Sequence, residues 1–298
     1  MATSHLFADT VLKGANIVTV DPAQPRARAL AIRDGVFVGV GSDDDIEGLV
    51  GPGTVIRDTR GKTVIPGLID AHIHVLSSGT RHVMAADCDQ RSIGEIQDVL
   101  RERVATAERG DWIQGFKFDD TKTRESRFLN KDDLDAVTTE LPIMVSHRAG
   151  HVYYLNTPAL KAAGYNNESE DPPGGRLGRD ATTGELDGVV YERAIEPLRD
   201  SLPQVTSETR RQGLKTICGM LGAAGLTSVH DAMVSDLEIN TYQEGQDSGD
   251  LTLRVYMLAG RAHFPALRDA GLKSGFGNDR LRLGGIKMVS DGAIAART

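Results

Sequence analysis

The sequence predicts an α/β fold, and three patterns along the chain support that prediction. Residues 9–65 contain short β-rich segments separated by turn residues, residues 92–110 have helical spacing, and residues 226–289 alternate between strand and helix. Strands that alternate with helices in this way are typical of parallel βα units. The chain has 298 residues, 40% of them hydrophobic, which is enough for one large domain or two smaller ones.

The N-terminal segment is predicted to be a small β module. Asp34 and Gly35 form a strong two-residue hairpin signal between two apolar runs. A short helical turn is expected to start at residue 43. The predicted strands are 11–12, 17–20, 29–33, 36–40, 54–56 and 63–65.

In the middle of the chain, the spacing of the apolar residues changes from that of strands to that of a helix. Ser92 and Glu95 have the spacing of a helix-capping box, and apolar residues follow at helical spacing up to residue 110. Residues 112–116 and 141–147 are strand-like. Residues 166–188 are dense in Gly, Pro, Asn, Asp and Glu, which predicts an excursion over the surface.

The last third of the chain has the most regular pattern. Residues 207–224 predict a helix that ends at Gly225. The order strand, helix, strand, helix, strand then follows over 226–231, 235–247, 251–258, 263–272 and 281–289.

Composition excludes several classes of function. The net charge of −8 and the pI near 5.5 disfavour a nucleic-acid partner. The sequence contains neither a P-loop nor a Gly-x-Gly-x-x-Gly motif after a predicted strand, which argues against a nucleotide function. We expect a cytoplasmic protein without a membrane span, because there is no signal-peptide pattern and no run of 18 apolar residues. Cys88 and Cys218 are too few for a disulfide framework.

The most informative stretch is residues 64–75, VIPGLIDAHIHV, which delivers His72 and His74 two residues apart. Residues i and i+2 of a strand point to the same face, and two neutral imidazoles on one face suit a divalent metal such as zinc. Asp70 falls on that face, where it is expected to orient a histidine. The alternative is a buried strand whose histidines only form hydrogen bonds.

This stretch and others resemble the amidohydrolase superfamily, and within it the amidohydrolase-3 group of YtcJ-like hydrolases and N-substituted formamide deformylases. The matching segments span essentially the whole chain and occur in the same order as in the family. The resemblance rests on VIPGLIDAHIH (64–74), HRAGHVYYLNTPAL (147–160), GELDGVVYE (184–192), AGLTSVHD (224–231) and GIKMVSDGAIAART (285–298).

The resemblance implies the N-terminal part of a metal-dependent (β/α)8 TIM barrel, with a small β-sandwich domain and an insertion after barrel strand 1. The implied division is a sandwich segment (1–65), barrel strand 1 (66–80), the insertion (81–205) and barrel strands 2–4 with their helices (206–298). On this layout the chain is the N-terminal half of a longer protein and is not catalytically complete alone. The remaining metal histidines and the general-base aspartate are then expected beyond residue 298.

The resemblance also points to Lys287 as a metal ligand. A lysine in an apolar strand is costly unless it is neutralised or paired, and burial near a cation lowers its pKa. The free amine can then add carbon dioxide, and the resulting carbamate can bridge two metals. The alternatives are a lysine that reaches solvent at the strand end or one that pairs with Asp291.

Four residues are predicted to contact the substrate. His151 and Asn156 lie in a segment that the resemblance associates with the rim of the active site, although a structural hydrogen bond is the alternative. His230 and Asp231 end the predicted second barrel strand, but Asp231 would equally serve as the cap of the next helix.

The remaining polar residues of the insertion have simpler expected roles. Asp119 and Asp120 either add polar groups to the site or form a solvated turn. His147 is predicted to be structural.

The predicted activity is that of a metal-dependent amidohydrolase, which hydrolyses the C–N bond of an amide or formamide by metal-activated water. One or two divalent cations, zinc by preference, and a small-molecule amide substrate are implied, in a protein that can form a homo-oligomer. One alternative is a catalytically incomplete paralogue or fragment that acts by binding or oligomerising. Another is an amidine deaminase of the same superfamily.

Overall fold

The computed structural model describes residues 7–199 and 201–289. The chain divides into two compact units, the first ending at Leu68 and the second beginning at Ile69. In the part of the chain that the structure describes, every helix is too short or too polar to cross a membrane.

The first unit is a β module with small apolar residues in its cores. It contains β1 (Thr10–Lys13), β2 (Asn16–Val18), β3 (Arg26–Ala27), β4 (Ala29–Arg33), β5 (Val36–Gly41), α1 (Asp43–Glu47), β6 (Val55–Asp58) and β7 (Thr63–Val64). One sheet has the order β5-β4-β1-β6, and the other has the order β3-β2-β7. Every predicted strand of this segment therefore has a counterpart, while β3 was not predicted.

The predicted hairpin between β4 and β5 is confirmed. Asp34 and Gly35 have φ angles of 53° and 77°, and a type I′ turn requires positive φ at both of its central positions. Arg33 pairs with Val36 across the turn. The Asp34 N–H also donates a hydrogen bond of 2.7 Å to the carboxylate of Asp9, which holds the tip of the hairpin.

The second unit begins within β8, at Ile69, and contains two sheets. Its elements are β8 (Leu68–Ile73), α2 (Val75–Met84), β9 (Ala86–Asp87), α3 (Ile93–Val104), β10 (Ile113–Phe118), α4 (Lys131–Asp135), β11 (Ile143–His147), β12 (Val152–Leu155), α5 (Thr157–Ala162), β13 (Gly175–Arg179), β14 (Leu186–Glu192), α6 (Glu196–Arg199), α7 (Ser207–Ala223), β15 (Leu226–Val234), α8 (Asp236–Ser248), β16 (Arg254–Gly260), α9 (Phe264–Asp269) and β17 (Leu281–Lys287).

The larger sheet has the order β13-β14-β12-β11-β10-β9. Strands β9, β10 and β11 run parallel, whereas β12 and β14 continue the sheet with antiparallel pairs. Its core includes Ile96 and Leu100 of α3, Leu134 of α4, and Phe118 and Tyr154 of the sheet, all fully buried. This core fixes the ends of β10 and β11, where polar side chains project.

The segment 166–188 differs from its prediction as a surface excursion. It contains β13 and the start of β14, which pair with each other in antiparallel register. Leu177 and Leu186 are buried there. The strand was missed because each of these leucines stands alone among turn-forming residues, so no alternating pattern is visible.

Helix α3 begins as predicted but with a different cap. The Ser92 side chain accepts a hydrogen bond from the Glu95 N–H. The Glu95 carboxylate accepts from the N–H of Arg91 rather than that of Ser92, so the reciprocal capping box is not formed. The helix ends at Val104, earlier than residue 110.

The smaller sheet has the order β17-β16-β15-β8, and β15, β16 and β17 are parallel. The predicted alternation of strands and helices after residue 225 is confirmed. Helices α2, α7 and α8 pack on one face through a buried cluster. This cluster includes Val75, Leu214, Val229, Tyr242 and Val255.

Strand β8 is not the buried core strand that the sequence suggested. It occupies one end of its sheet and has β15 as its neighbour. Ile69 is 66% exposed, and His72 is exposed as well. An end strand packs through fewer neighbours than a central one, so its apolar residues do not imply burial.

Candidate functional site

His72 and His74 project together at the end of β8. Their ring centroids are 5.7 Å apart and their planes are nearly perpendicular. A Zn–N distance of about 2.0–2.1 Å puts an imidazole centroid about 3.2 Å from the ion, so two rings on one ion have centroids up to about 6.4 Å apart. The observed separation therefore fits a shared divalent cation.

The orientation of the His74 ring is fixed by the backbone of β15. Its Nδ1 lies 2.8 Å from the carbonyl oxygen of Ala232. Since a carbonyl only accepts, the neutral form of the ring carries its proton on Nδ1 and keeps its lone pair on Nε2. A backbone carbonyl on the far nitrogen is the usual support of a metal-binding histidine.

Asp70 acts on the backbone rather than on a ring. Its Oδ1 accepts a hydrogen bond of 2.9 Å from the N–H of His72. The sequence placed Asp70 as the partner of an imidazole. In the structure, the Asp70 carboxylate instead holds the backbone at His72.

Asp231 is 3% exposed and belongs to the packing layer between sheet and helices. One of its oxygens accepts from the N–H of Val75 at the start of α2, and the other accepts from the Tyr242 hydroxyl. This differs from the predicted substrate contact. It also differs from the predicted cap of the next helix, because α8 is capped by Ser235.

Burial raises the pKa of Asp231 to about 6, although the bonds from Tyr242 and Val75 oppose the shift. The folded state therefore keeps this proton over a pH range in which the unfolded state has lost it. We expect the free energy of unfolding to fall as pH rises from about 4 to about 6, by up to about 3 kcal/mol from this group, and to level off above.

Asp231→Asn tests this prediction, because it keeps an acceptor for the Val75 N–H and removes the titration. Urea unfolding at about pH 4.5 and pH 7 gives the stability difference for both proteins. The wild-type protein should lose more stability at the higher pH than the variant does. An equal difference in the two proteins would contradict the assignment.

His230 lies in the middle of β15, and its ring stacks on Tyr256 with centroids 4.8 Å apart. It lines a cavity of about 360 Å³ together with Arg254, Arg280 and Arg282. These arginines stand at the N-terminal ends of β16 and β17. Ligands of parallel α/β sheets bind at the opposite, carboxyl ends of the strands, so the predicted substrate contact of His230 stays a prediction.

Lys287 is the last residue of β17 and is half-buried. It pairs in register with Gly260 of β16. Strands β8 and β17 are the outer strands of the sheet, three interstrand spacings apart, or about 14 Å. In the described part of the chain no hydrogen bond joins Lys287 to His72 or His74, and Asp291 lies outside the described residues.

Asn156 makes structural hydrogen bonds, which were the alternative to its predicted substrate contact. It is fully buried and begins α5 as its N-cap. Its Oδ1 accepts from the N–H groups of Ile143 and Ala159, and its Nδ2 donates to the carbonyls of Thr138 and Leu141. An amide that makes four bonds inside the core has no group left for a ligand.

A second cluster joins Asp119, Asp120 and His147, whose potential ligand atoms lie within 4.8 Å of one another. The sequence did not predict this grouping. The two aspartates follow β10 and the histidine ends β11, and these strands run parallel, so their carboxyl ends meet. The cluster could have been predicted from the parallel pairing of β10 and β11, but that prediction requires the order of the strands in the sheet.

The cluster is arranged as a hydrogen-bond network. His147 Nδ1 accepts from the Ala149 N–H, so Nε2 carries the proton and faces Asp120 at 3.3 Å. A metal would need a lone pair on that nitrogen. Burial raises the pKa of Asp119, but bonds from Arg148 and Thr121 outweigh it and hold the pKa at about 2. The His72–His74 pair therefore fits a metal better.

Comparisons with known proteins identify the family of the chain. The sequence model of the amidohydrolase family matches residues 55–298. The chain is 28% identical to N-substituted formamide deformylase from Arthrobacter pascens over 88% of the chain and 49% of that protein. It is 25% identical to the putative amidohydrolase YtcJ from Bacillus subtilis over 96% of the chain and 54% of that protein. The chain thus spans about half the length of these curated relatives.

Solved structures share the fold. An uncharacterized metal-dependent hydrolase from Pyrococcus horikoshii superposes with a TM-score of 0.69 at 22% identity, over 97% of this chain and 56% of that one. An uncharacterized metal-dependent hydrolase from Pyrococcus furiosus also superposes with a TM-score of 0.69, at 23% identity, over 97% of this chain and 58% of that one. On the match over residues 55–298, the chain belongs to the amidohydrolase family.

Proposed function

We propose that this chain is part of a metal-dependent hydrolase that cleaves the C–N bond of an amide or a formamide. The observation that carries the proposal is the His72–His74 pair, in which the Ala232 carbonyl leaves Nε2 of His74 with its lone pair. The match to the amidohydrolase family and the printed activity of the Arthrobacter relative support the choice of bond.

The chemistry divides between the cation and the protein. A divalent cation, zinc in our proposal, supplies Lewis acidity that lowers the pKa of water and polarises the substrate carbonyl. His72 and His74 would hold it through neutral imidazole nitrogens. Ala232 fixes the tautomer of one ring, and Asp70 fixes the backbone that carries the other. Both supports come from the chain itself, so the pair is preorganised.

For the architecture we propose the beginning of a (β/α)8 barrel, formed by residues 66–80 and 206–298. Residues 1–65 would contribute to a β-sandwich, and residues 81–205 would be the insertion. The parallel order of β15, β16 and β17, with β8 beside β15, supports this proposal.

We propose that Lys287 becomes a carbamate by addition of its neutral amine to carbon dioxide, with release of one proton. Its position at the carboxyl end of β17 supports this role. Labelling with ¹³C-bicarbonate should give a carbamate carbon signal that Lys287→Ala removes. A wild-type spectrum without that signal, in active protein, would contradict the proposal.

Hydrolysis of N-substituted formamides by the full-length protein tests the proposed function. We expect amine release that a chelator abolishes and added Zn²⁺ restores, since the cation supplies the Lewis acidity. Esters of the same acyl group serve as the comparison substrates. Hydrolysis that continues unchanged after the metal has been removed would contradict the proposal.

A further inference from the structure

Two consecutive residues of β15 hold the two consecutive residues at the start of α2. The carbonyl of Ala232 accepts from Nδ1 of the His74 ring at 2.8 Å. The carboxylate of Asp231 accepts from the N–H of Val75 at 2.9 Å. That N–H belongs to the planar peptide group that joins His74 to Val75. The first bond therefore orients the imidazole, and the second fixes the backbone from which the imidazole projects.

Helix α2 takes its N-terminal partner from β15 because its own sequence supplies none. His74 is the N-cap residue, its side chain makes no capping hydrogen bond, and the first turn contains no acidic residue. The first N–H groups of a helix have no partner within it, and they carry a partial positive charge that an anion stabilises. The Asp231 carboxylate meets both needs at Val75, although the two residues are 156 positions apart.

The Asp231 carboxylate is itself held by Tyr242 of α8. The Val75 N–H binds Oδ1, and the Tyr242 hydroxyl donates to Oδ2. Tyr242 is fully buried and Asp231 is 3% exposed, so water does not compete for these bonds. A carboxylate bound at both oxygens cannot rotate without breaking one of the two bonds. The hydroxyl of Tyr242 thus sets the position of the group that binds the Val75 N–H.

Packing alone does not account for the polar groups of this pair. Tyr242 lies in a buried cluster with apolar side chains that include Leu214, Ile217 and Val229. A phenylalanine would fill the same space, whereas a buried hydroxyl and a buried carboxylate both cost free energy unless they are hydrogen-bonded. The bonds of Tyr242 and Asp231 lead to the Val75 N–H, which is the group next to a proposed metal ligand.

We propose that Tyr242 and Asp231 are positioning residues for the metal-binding His74. Tyr242 fixes the Asp231 carboxylate, the carboxylate fixes the Val75 N–H, and the backbone at His74 is fixed as a result. Both carboxylate oxygens are occupied by these bonds, so Asp231 acts on the metal site only through Val75. This inference rests on the proposed function and deepens it, because it extends the support of the metal site to α8.

Tyr242→Phe tests the inference, since it removes the hydroxyl and keeps the ring in the core. In the full-length protein we expect the Kd for Zn²⁺ to rise about tenfold, the lower end of the effect of losing a support of a metal-binding histidine. Competition with a chromophoric chelator measures this Kd. The visible spectrum of the Co²⁺-loaded protein should also change, because its bands report the geometry of the ligands. Neither measurement depends on turnover.

Tyr165→Phe is the matched control. The Tyr165 hydroxyl donates a hydrogen bond of 2.8 Å to the carbonyl of Ala194, and its ring packs on a different core from that of Tyr242. This variant also loses one tyrosine hydroxyl bond, but it should bind Zn²⁺ as the wild-type protein does. If Tyr242→Phe had the Kd and the Co²⁺ spectrum of the wild-type protein, the positioning role would be wrong and the proposed function would stand.

Two substitutions of Asp231 separate its bonds from its charge. Asp231→Asn has an oxygen for the Val75 N–H and an amide N–H for the Tyr242 oxygen, so it should keep most of the affinity for Zn²⁺. Asp231→Ala makes neither bond and should weaken binding at least as much as Tyr242→Phe. Equal weakening by Asn and Ala would overturn the positioning role. A wild-type protein that does not bind Zn²⁺ would overturn the proposed function and this inference with it.

Discussion

His72→Ala in the full-length protein should remove the bound divalent cation and the hydrolytic activity together. The two imidazoles lie at and just beyond the end of β8 with their ring centroids 5.7 Å apart, so both are placed to bind one cation. We expect activity to fall at least about a hundredfold, the cost of losing one group that stabilises the transition state. Metal analysis and initial rates on the same preparation measure both quantities.

His263→Ala is the control for this variant. His263 is a histidine in the short turn before α9 and belongs to neither polar cluster. It should keep its metal and its activity. Retention of both by His72→Ala would contradict the metal site, whereas loss of activity with full metal content would assign His72 to a different role.

Asn156→Ala should destabilise the fold more than any other single polar substitution proposed for this chain. The variant leaves two backbone N–H groups and two carbonyls without their partner in a fully buried site. Each unsatisfied buried group costs about 1–3 kcal/mol, so we expect a loss of about 4 kcal/mol or more. Urea unfolding of the purified variant measures it.

Asn130→Ala provides the comparison, because Asn130 is also a helix N-cap but makes a single bond with its side chain, to the Asp133 N–H. Its replacement should cost about 1 kcal/mol. Similar losses in the two variants would show that Asn156 acts only as a cap. If Asn156→Ala reduced substrate affinity and left stability unchanged, Asn156 would instead be a substrate-contact residue.

Local patterns were sufficient to predict much of the fold. The Asp34–Gly35 turn needs only two residues whose backbones accept positive φ. The strands and helices after residue 225 each carry their own periodicity. The proximity of His72, near the end of β8, to His74, the first residue after it, agrees with the two-residue repeat of a strand. Each of these features is encoded within about ten residues.

Features that depend on distant partners could not be predicted in this way. The bond between His74 and Ala232 joins residues 158 positions apart, and a contact between His151 and Glu192 spans 41. Asp231 looked like a residue of the site because it ends an apolar run. Its burial depends on the packing of α2 and α8 against the sheet, which the local sequence does not encode.

Anomalous diffraction from crystals of zinc-loaded protein tests the central claim most directly. The account predicts a zinc peak about 2.0–2.2 Å from one ring nitrogen of both His72 and His74, with His74 bound through Nε2 because Nδ1 faces Ala232. A peak confined to Asp119, Asp120 and His147, with none beside the β8 histidines, would contradict it.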